Sequence, residues 1–569
     1  MTSSEAWDVI VVGGGHNGLV AATVLAKARR KVLLVEADAE LGGPARTEEF
    51  HPGYRASTAH ILNCLHPEVM KALGVDLQAL TPPPLAPPHK GEGDNRGLRA
   101  IDRSQIGGSS PSPLWGGIKG GGKLSASRGR GNLAPTALLS PDRDAIVLSG
   151  GWGEAIDGDL SAAEKSAWLA MRAQLVRFAA ILKPFLARLP PALEGMPLTE
   201  ALGYGGAALA LKRLGREDMR DFLRMLLMNV HDVAEEYLSD DRLKGVAGFD
   251  VVLGSHLGPR SPTSLLGLYY RLAGELAGAA GGQVVPAGGM GSVIAKMCRA
   301  AERAGVVIRA GVAVSRILVD RGRAAGIRLD TGEEFRAETI VCAINPRAAL
   351  VDLVGPAELD TGVVRKAQAI RMKGNVAKLH LALSGIPAFR TPREALAGRL
   401  VIAPSSQAVE RAFNPAKYGE FSAEPVMEIV LPSLTDPSLA PSGGCVLSAN
   451  VLFAPYDLKG GWEAGKPAFL AAIMAVLERH APGIGKQVEH ADLLTPVDIE
   501  ARYRMPGGHW HHGELQVDQM LVNRPFFGAE RYAAPIEGLW LASAGSHPGG
   551  GISGVPGLNA ARAVLNGRG

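Results

Sequence analysis

The sequence predicts an α/β fold built around a parallel sheet. A short β-branched apolar run over residues 9–12 leads into a glycine-rich turn and an apolar helix, and a second apolar run follows at 32–35. Strand, turn, helix and strand in this order are typical of a βαβ unit with a buried parallel pair. Another strand, glycine-rich turn and helix pattern closes the chain over residues 539–565.

The first turn reads GGGHNG over residues 13–18, which is a G-x-G-x-x-G spacing. In a βαβ unit Gly13 permits the tight turn, Gly15 lets the backbone approach a pyrophosphate, and Gly18 lets the helix pack on the strand. The N-terminus of the helix then faces the diphosphate charge. The predicted dinucleotide contacts of this turn are Gly13, Gly15, His16, Asn17 and Gly18.

The second strand ends on Glu36, eighteen residues after Gly18. A carboxylate at this distance accepts hydrogen bonds from a ribose hydroxyl and repels a 2′-phosphate, so NADP is disfavoured. We expect Glu36 and the adjacent Ala37 to contact the nucleotide. The βαβ unit alone does not separate FAD from NAD.

The loop that follows favours FAD. It reads GGPART over residues 42–47, a glycine pair followed by a basic and a hydroxyl side chain. Gly43 gives clearance for a loop that folds over a diphosphate, and Arg46 supplies charge-assisted hydrogen bonds to it. An ordinary surface turn is the alternative interpretation.

Length and composition restrict the class of protein. At 569 residues the chain is too long for one compact core, so two or more domains are expected. Its four cysteines lie far apart, which argues against a zinc site, a redox dithiol and a disulfide framework. The first residues lack the basic start of a signal peptide, and the best apolar candidate for a membrane span, residues 9–26, is broken by polar residues and glycines. A cytoplasmic protein is expected.

A basic, low-complexity insert is predicted at residues 88–135. Its first part, 88–132, has no hydrophobic periodicity and carries a charge of +5, against +4 for the whole chain. The basic isoelectric point therefore comes from a segment with a disordered composition, and no nucleic-acid partner is expected. The tripeptide Leu-Ala-Pro stands at 85–87 and again at 133–135. We interpret this repeat as the mark of an insertion, whose removal would leave an ordinary strand–turn–strand.

Apolar-rich helices are predicted in the middle of the chain. The first covers residues 161–188 and opens with a capping box formed by Ser161 and Glu164. Two more helical segments cover 217–247 and 262–279, and the first of them carries a broad hydrophobic face of Phe, Leu and Met side chains over residues 222–228. Such a face is typical of a core, and in an enzyme it can also wall a pocket for a long apolar substrate.

Strand-like patterns return after these helices. They cover residues 306–308 and 313–319, and a hairpin signal at 330–332 precedes an apolar strand at 339–346. The stretch PAGGMGS at 286–292 opens another helix. It lacks the leading apolar strand and the trailing acid of a nucleotide loop, so a second dinucleotide site is disfavoured.

Two glycine-rich stretches lie near the C-terminus. Residues 506–515, PGGHWHHGEL, hold three histidines within four positions, but their spacing does not converge on one helix face and no further ligand completes a shell. No metal site is therefore predicted. The loop GSHPGGGISG at 545–554 joins the last predicted strand to the last predicted helix and has anion-binding character.

Together the motifs resemble those of the phytoene dehydrogenase-related flavoproteins, in the branch of pyridine nucleotide-disulfide oxidoreductase domain-containing protein 2. The motifs that carry the resemblance are GGGHNGL, GGPART, PAGGMG, TIVCAINP, GGHWHHGEL and LASAGSHPGGGISG, and it extends over nearly the whole chain outside the insert. It implies an α/β fold: a glutathione-reductase-like FAD-binding Rossmann domain with a discontinuous α+β substrate domain. It is specific for FAD and poorly specific for the substrate.

The resemblance also implies where FAD binds. The first glycine turn and Glu36 would hold the ADP half, and Gly43 and Arg46 would belong to a second diphosphate loop. The strand around Val312 and Ala313 would run beside the adenine. The C-terminal contacts, against the ribityl chain and the flavin, would be Gly545, Ser546, Gly551 and Ile552.

The implied domains alternate along the chain. The FAD-binding domain would comprise residues 1–80, 286–350 and 501–569, and the substrate domain residues 140–285 and 351–500.

The expected activity is that of an FAD-dependent oxidoreductase. We expect a desaturase or dehydrogenase that transfers hydride from an apolar, polyene- or lipid-like substrate to flavin N5, a reaction for which the protein supplies mainly orientation and an apolar wall. His512, His60 and Tyr269 are the candidate catalytic residues and are expected to line the pocket. His512 carries over from the His-Gly motif of the family, and His60 rests on its place in a loop soon after the βαβ unit.

Two other functions stay open at this stage. One is an amine-oxidase-like flavoenzyme with the same framework, and the other is a flavin-bound regulatory or interaction protein. A peripheral membrane contact, a protein partner and a homo-oligomer also stay open. The apolar helices show no basic amphipathic face, so they give no clear membrane anchor.

Overall fold

The computed structural model describes residues 6–76, 133–192 and 198–567. Most of the predicted insert, residues 88–132, lies outside the described residues. In chain order the strands are β1 (Trp7–Val12), β2 (Val32–Val35), β3 (Thr47–His51), β4 (Tyr54–Ser57), β5 (Thr136–Leu138), β6 (Ile146–Ser149), β7 (Ala155–Asp157), β8 (Glu275–Leu276), β9 (Ala279–Ala280), β10 (Val307–Arg309), β11 (Val314–Asp320), β12 (Arg323–Leu329), β13 (Glu334–Cys342), β14 (Val376–Leu383), β15 (Arg399–Ile402), β16 (Met427–Val430), β17 (Cys445–Leu452), β18 (Val488–Leu494) and β19 (Leu539–Leu541).

The helices alternate with these strands. They are α1 (His16–Lys27), α2 (Pro67–Leu73), α3 (Ala162–Ala187), α4 (Leu198–Arg213), α5 (Arg216–Leu226), α6 (Val230–Tyr237), α7 (Asp241–Val252), α8 (Leu265–Ala273), α9 (Gly289–Arg303), α10 (Thr361–Ala369), α11 (Arg393–Leu396), α12 (Ser406–Ala416), α13 (Trp462–His480), α14 (Ile484–Gln487), α15 (Pro496–Tyr503) and α16 (Val555–Asn566). Short 3₁₀ turns and one π-helix connect some of them.

The first sheet contains the predicted βαβ unit. Strands β10, β2, β1, β13 and β19 run parallel in this order, and β12 and β11 extend the sheet from β13 in antiparallel fashion. Val9 and Val11 of β1 face α1, α9 and α16, while Ile10 and Val12 face the opposite layer. This alternation buries both faces of the strand, as a central parallel strand requires.

The second sheet has the order β18-β14-β17-β16-β15-β5-β6-β7. Its neighbours are antiparallel except for the parallel pair β15 and β5. One face packs on α3, α7 and α8, and the other on α13, so most side chains of β14 to β17 are buried. We propose that the two sheets mark the two domains predicted from the sequence.

Most local predictions are confirmed. The βαβ unit, the helix after the 286–292 stretch and the final strand and helix all form close to their predicted positions. The end of the insert needs a correction, because residues 133–135 belong to the folded structure: Ala134 N–H donates to the Gln283 carbonyl at 2.8 Å, and the Pro135 carbonyl accepts from Arg399 N–H at 2.8 Å.

Three helical predictions change in detail. At α3 the Ser161 hydroxyl caps Glu164 N–H, but the Glu164 carboxylate accepts from the backbone of Ser239 and Asp240, so only half of the capping box forms. The predicted 217–247 segment is divided into three helices, because Asn229 and Asp240 each cap a new helix. The predicted 262–279 helix ends at Ala273, and a glycine-rich β8–β9 hairpin follows it.

The space beside the PAGGMGS stretch is filled by the Thr47 side chain. The Thr47 hydroxyl accepts from Gly291 N–H at 3.0 Å and donates to the Gly288 carbonyl at 3.1 Å. A Cβ at Gly291 would lie 2.6 Å from this hydroxyl oxygen. The glycines of this stretch therefore serve the packing of α9 against β3, which explains why it resembles a nucleotide loop without being one.

Candidate active site

A cavity of about 200 Å³ lies between the two sheets. The first sheet contributes the start of α1 and the loop around Gly42, and the second contributes β16 and β17. The rest of the wall comes from residues 59–64, from α7 and α8, and from the two C-terminal glycine-rich stretches. The sequence signals at both ends of the chain thus meet at one place.

The first glycine turn has the geometry that its spacing predicts. Gly13 has a φ of +100°, and a Cβ at Gly18 would lie 2.0 Å from the Gly13 carbonyl oxygen. A Cβ at Gly15 meets no atom within 4 Å, so the backbone here borders open space at the start of α1. The tight turn explains Gly13 and the close helix–strand packing explains Gly18. The open space at Gly15 allows a ligand to approach the backbone.

Glu36 lies directly behind this turn. Its carboxylate accepts from Gly14 N–H at 2.6 Å and from Asp38 N–H at 3.0 Å. The Val312 N–H donates to the Glu36 carbonyl at 3.1 Å, so the predicted adenine strand does run beside the predicted ribose acid. Contacts of Glu36, Ala37, Val312 and Ala313 with the nucleotide remain a prediction.

The second loop is connected to the first. Gly42 N–H donates to the Gly14 carbonyl at 3.0 Å, and a Cβ at Gly43 meets no atom within 4 Å. The Arg46 guanidinium, however, binds Asp38 at 2.6 Å and Glu48 at 2.7 Å and does not line the cavity. Asp38 and Glu48 thus bind the guanidinium that we expected to contact the diphosphate. A contact of Arg46 with FAD remains a prediction.

The C-terminal loop closes the site from the opposite end of the chain. His16 is hydrogen-bonded to the Gly551 backbone. A Cβ at Gly551 would lie 2.7 Å from the Cys64 sulfur, and one at Gly545 would lie 2.4 Å from Pro346. Gly550, Gly551 and Ile552 line the cavity, whereas the Ser546 hydroxyl is buried without a hydrogen-bond partner among the described residues.

These features fit FAD. Open space borders Gly15 and Gly43, and a helix N-terminus faces it without an acidic residue in its first turn. Among the described residues, His16 Nε2 and Asn17 Oδ1 are buried without partners at the same helix start. A diphosphate with its ribityl chain supplies the acceptors and donors that these groups lack.

The histidine-rich stretch forms a buried cluster beside the cavity. His511 lines the cavity, and His512 lies one position further on, with its Nδ1 buried and unpartnered among the described residues. Burial, with a smaller effect of His16, lowers the pKa of His512 to about 3. Within this stretch His511, and not His512, lines the cavity, and a catalytic role of His512 remains a prediction. In the part of the chain that the structure describes, no group of three potential ligands could hold a metal ion.

Arg524 holds this stretch in place. Its buried guanidinium donates to the backbone carbonyls of His511, Gly513 and Ala544, with distances of 2.7, 3.2 and 2.7 Å from Nη2, and Nη1 donates to Glu514 at 3.1 Å. One side chain thereby ties the histidine stretch to the loop after β19.

His60 does line the cavity, and it is part of a charged network that we name the polar wall. Its members are His60, Asp250, Arg271, Lys378, Arg399, Glu428 and Asn450. Lys378 Nζ lies 2.6 Å from His60 Nδ1, and His60 Nε2 lies 3.4 Å from Glu428 Oε1. Asn450 accepts from Lys378 at 3.1 Å and donates to Glu428 at 2.7 Å.

The protonation of His60 follows from these contacts. Burial and the nearby Lys378 lower its pKa to about 4. The Ser448 hydroxyl lies 3.2 Å from His60 Nδ1, and Asn450 Nδ2 lies 3.0 Å from His60 Nε2. Both ring nitrogens therefore have polar partners on β17, in addition to Lys378 and Glu428.

The second half of the polar wall is built on Arg399. It donates to Glu428 and to Asp250, both at 2.6 Å, and is 1% exposed. Asp250 also accepts from the Trp152 indole at 2.8 Å. Arg271 Nε lies 3.5 Å from Asp250, and Arg271 Nη2 donates to Gln283 at 3.0 Å.

Tyr269 does not reach the cavity. It is fully buried in the core of the helical layer, its hydroxyl has no partner among the described residues, and its ring lies 6.5 Å from that of Phe222. Its neighbour Tyr270 lines the cavity and donates to the Gly550 carbonyl at 2.7 Å. Successive residues point about 100° apart around a helix. Two adjacent residues can therefore have one side chain in the core and the other in the cavity.

The sequence interpretation missed the rest of the polar wall. A signal was nevertheless present, because Lys378, Glu428 and Asn450 each interrupt a strand whose other residues are nearly all apolar. A charged residue in a strand that is buried on both faces is costly unless it is paired. Such interruptions therefore mark candidates for a buried polar site.

Comparison with known proteins agrees with this geometry. Residues 155–418 match the family of flavin containing amine oxidoreductases, and residues 11–73 match the NAD(P)-binding Rossmann-like domain. The chain is 28% identical to pyridine nucleotide-disulfide oxidoreductase domain-containing protein 2 of Mus musculus, over 98% of this chain and 93% of that protein. It is 26% identical to the neurosporene-forming phytoene desaturase of Cereibacter sphaeroides, over 58% and 61% of the two chains.

A solved structure shares the fold. An oxidoreductase from Methanosarcina mazei superposes with a TM-score of 0.57 at 14% identity, over 98% of this chain and 99% of that chain. Fold, glycine loops and sequence matches together define an FAD-dependent oxidoreductase. Within this class the protein is related along almost its whole length to pyridine nucleotide-disulfide oxidoreductase domain-containing protein 2, the branch that its motifs indicated.

Over residues 6–76, 133–192 and 198–567, no helix is both long and apolar enough to cross a bilayer.

Proposed function

We propose that the protein is a dehydrogenase or desaturase of a largely apolar small molecule. The observation that carries this proposal is the position of the cavity, which borders the predicted flavin loop on one side and apolar side chains on the other. Leu253, Trp510 and Leu515 supply that apolar wall. When bound, FAD accepts a hydride from a substrate held against it.

The residues of the chain would act by orientation and by exclusion of water. Tyr270 fixes the Gly550 carbonyl and hence the loop that borders the flavin. His60 has both ring nitrogens engaged and a lowered pKa, so we assign it a positioning role within the polar wall rather than proton transfer. The apolar side chains would hold a hydrocarbon segment close to the cofactor.

The amine-oxidase-like alternative has one specific observation in its favour, the family match over residues 155–418. The polar wall argues against it, because the two carboxylates that line the cavity, Asp250 and Glu428, are both already bonded to Arg399. Arg271 adds a basic group to the same lining, which disfavours an ammonium ion. The phytoene desaturase relative supports an apolar substrate instead.

Anaerobic reduction of the bound flavin tests the proposal. We expect unsaturated and saturated hydrocarbon chains to bleach the visible flavin band of the purified holoenzyme, whereas primary and secondary amines of the same length leave it unchanged. Bleaching by amines alone, with peroxide released in air, would support the amine-oxidase-like alternative. Stable FAD that no compound of either class reduces would support a regulatory role and contradict the proposal.

A further inference from the structure

The polar wall divides the cavity into two chemical halves. Trp510, Leu253 and Leu515 are apolar, while Arg271, Asp250 and Glu428 line the same space with charged groups. A purely hydrocarbon substrate would leave the charged half without a partner. The cavity therefore has a built site for a polar group at one end of an apolar ligand.

The two arginines of the polar wall are paired unequally with its carboxylates. Arg399 lies between the two carboxylates and donates to both at 2.6 Å, while Asp250 also accepts from Trp152. Arg271 is 3.5 Å from Asp250 without a hydrogen bond. Arg399 and Arg271 thus share Asp250, and Arg271 has the weaker share.

Arg271 also has an unused donor. Its side chain is about nine-tenths buried, and its Nε is buried without a hydrogen-bond partner among the described residues. Gln283 holds Nη2 at 3.0 Å and is itself fixed by donation to Thr136 at 2.8 Å. The guanidinium is therefore held in place at the cavity wall with a donor still available. A planar guanidinium of this kind is suited to a carboxylate.

We infer that the substrate carries a carboxylate on an apolar body and that Arg271 binds this carboxylate. This inference rests on the proposed function, because it names the substrate class of the same cavity. The apolar half would hold the chain to be dehydrogenated, and Arg271 would fix which carbon atoms lie beside the flavin. Arg271 is then a specificity-determining residue and takes no proton.

Ligand binding to the oxidised holoenzyme tests the inference without turnover. Hexanoate, 1-hexanol and hexylamine are titrated separately, and perturbation of the visible flavin spectrum reports binding. We expect hexanoate to bind at least tenfold more tightly than the other two compounds. Equal or tighter binding of the alcohol or the amine overturns the inference, as does the absence of hexanoate binding.

Variants separate the carboxylate site from the cofactor site. Arg271→Met should weaken hexanoate binding at least tenfold while 1-hexanol binding and FAD content stay unchanged, and Arg271→Lys should retain part of the preference. Arg323→Met, on the exposed Arg323–Glu537 pair, is the control and should change nothing. Loss of FAD from Arg271→Met while Arg271→Lys retains it would mean that Arg271 binds the cofactor, which also overturns the inference.

The two proposals can fail separately. Carboxylate preference without flavin reduction by any substrate contradicts only the proposed dehydrogenase activity. Flavin reduction by apolar chains irrespective of a carboxylate contradicts only the role of Arg271.

Discussion

Lys378 Nζ lies 2.6 Å from Nδ1 of His60, so the buried lysine and the cavity histidine form one unit. The two residues come from distant parts of the chain, a loop after β4 and strand β14. Burial lowers the pKa of Lys378 well below its usual value, and burial together with the nearby Lys378 lowers the pKa of His60 to about 4.

Histidines held neutral by burial make stability depend on pH. Burial lowers the pKa values of His16, His60 and His547 to about 4, and those of His511 and His512 to about 3. The unfolded chain binds protons at these sites from about pH 6.5 downwards, and the folded chain does not. The contribution of these neutral histidines to the free energy of unfolding is therefore fully present above pH 6.5. The free energy of unfolding should fall as the pH falls towards 4.

Urea unfolding of the holoenzyme between pH 7 and pH 5 measures this effect. Each fully titrating histidine adds a slope of about 1.4 kcal/mol per pH unit. His511→Gln should reduce the number of protons taken up on unfolding by up to one, while the exposed-pair control Arg323→Met should not. A free energy of unfolding that is constant from pH 7 to pH 5 would contradict the assignment of neutral buried histidines.

Gly15→Asp should remove FAD without unfolding the protein. Gly15 has φ −68° and ψ 173°, which any residue adopts, and its Cβ would face open space. The new carboxylate would occupy and repel the diphosphate position. Gly18→Ala is the contrasting variant, because its Cβ would lie 2.0 Å from a carbonyl oxygen and should disrupt the fold itself.

Visible absorption and thermal unfolding distinguish these two outcomes. We expect a colourless Gly15→Asp protein with the melting temperature of wild-type apoprotein. If Gly15→Asp retains stoichiometric FAD, the first glycine turn does not hold the diphosphate.

The adjacent tyrosines of α8 should respond differently to loss of their hydroxyl groups. Tyr270→Phe removes the hydrogen bond to Gly550 and should cost about 1 kcal/mol, together with weaker FAD retention. Tyr269→Phe removes a buried hydroxyl that has no partner among the described residues, so stability should be unchanged or slightly higher. Urea unfolding and the rate of FAD release from each variant measure both effects, and equal behaviour of the two variants would contradict the assigned orientations.

Removal of residues 88–135 should leave FAD content and melting temperature unchanged. The deletion joins Leu85-Ala86-Pro87 to Thr136, so the first copy of the tripeptide takes the place of the second. It can then provide the backbone bonds to Gln283 and Arg399 that Ala134 and Pro135 make in the full chain.

A longer deletion is the matched control. Removal of residues 85–135 eliminates both copies of the tripeptide and places Pro83 and Pro84 before Thr136. Its melting temperature should fall, because Pro83 has no N–H to replace the bond from Ala134 to the Gln283 carbonyl. Equal stability of the two deletion variants would show that the repeat has no structural role.

Features that depend on neighbouring residues in the sequence could be predicted, whereas features that depend on contacts between distant residues could not. The βαβ unit, α9 and the final β19–α16 pair are encoded by local periodicity and glycine spacing, and all were predictable. The polar wall was not, because it exists only once β14, β16 and β17 pair and α8 packs across them. Tyr269 and His512 were each one position away from a cavity residue, since side-chain direction depends on the local backbone orientation that composition does not reveal.

The position of β19 and the glycine loop after it has a consequence for biosynthesis. The first sheet places residues 7–12 two strands away from residues 539–541, and the cavity needs residues 550–552. A ribosome must therefore synthesise the chain as far as residue 552 before the nucleotide turn acquires its opposing wall. Capture of FAD should follow the synthesis of these residues and should not accompany the synthesis of the first βαβ unit.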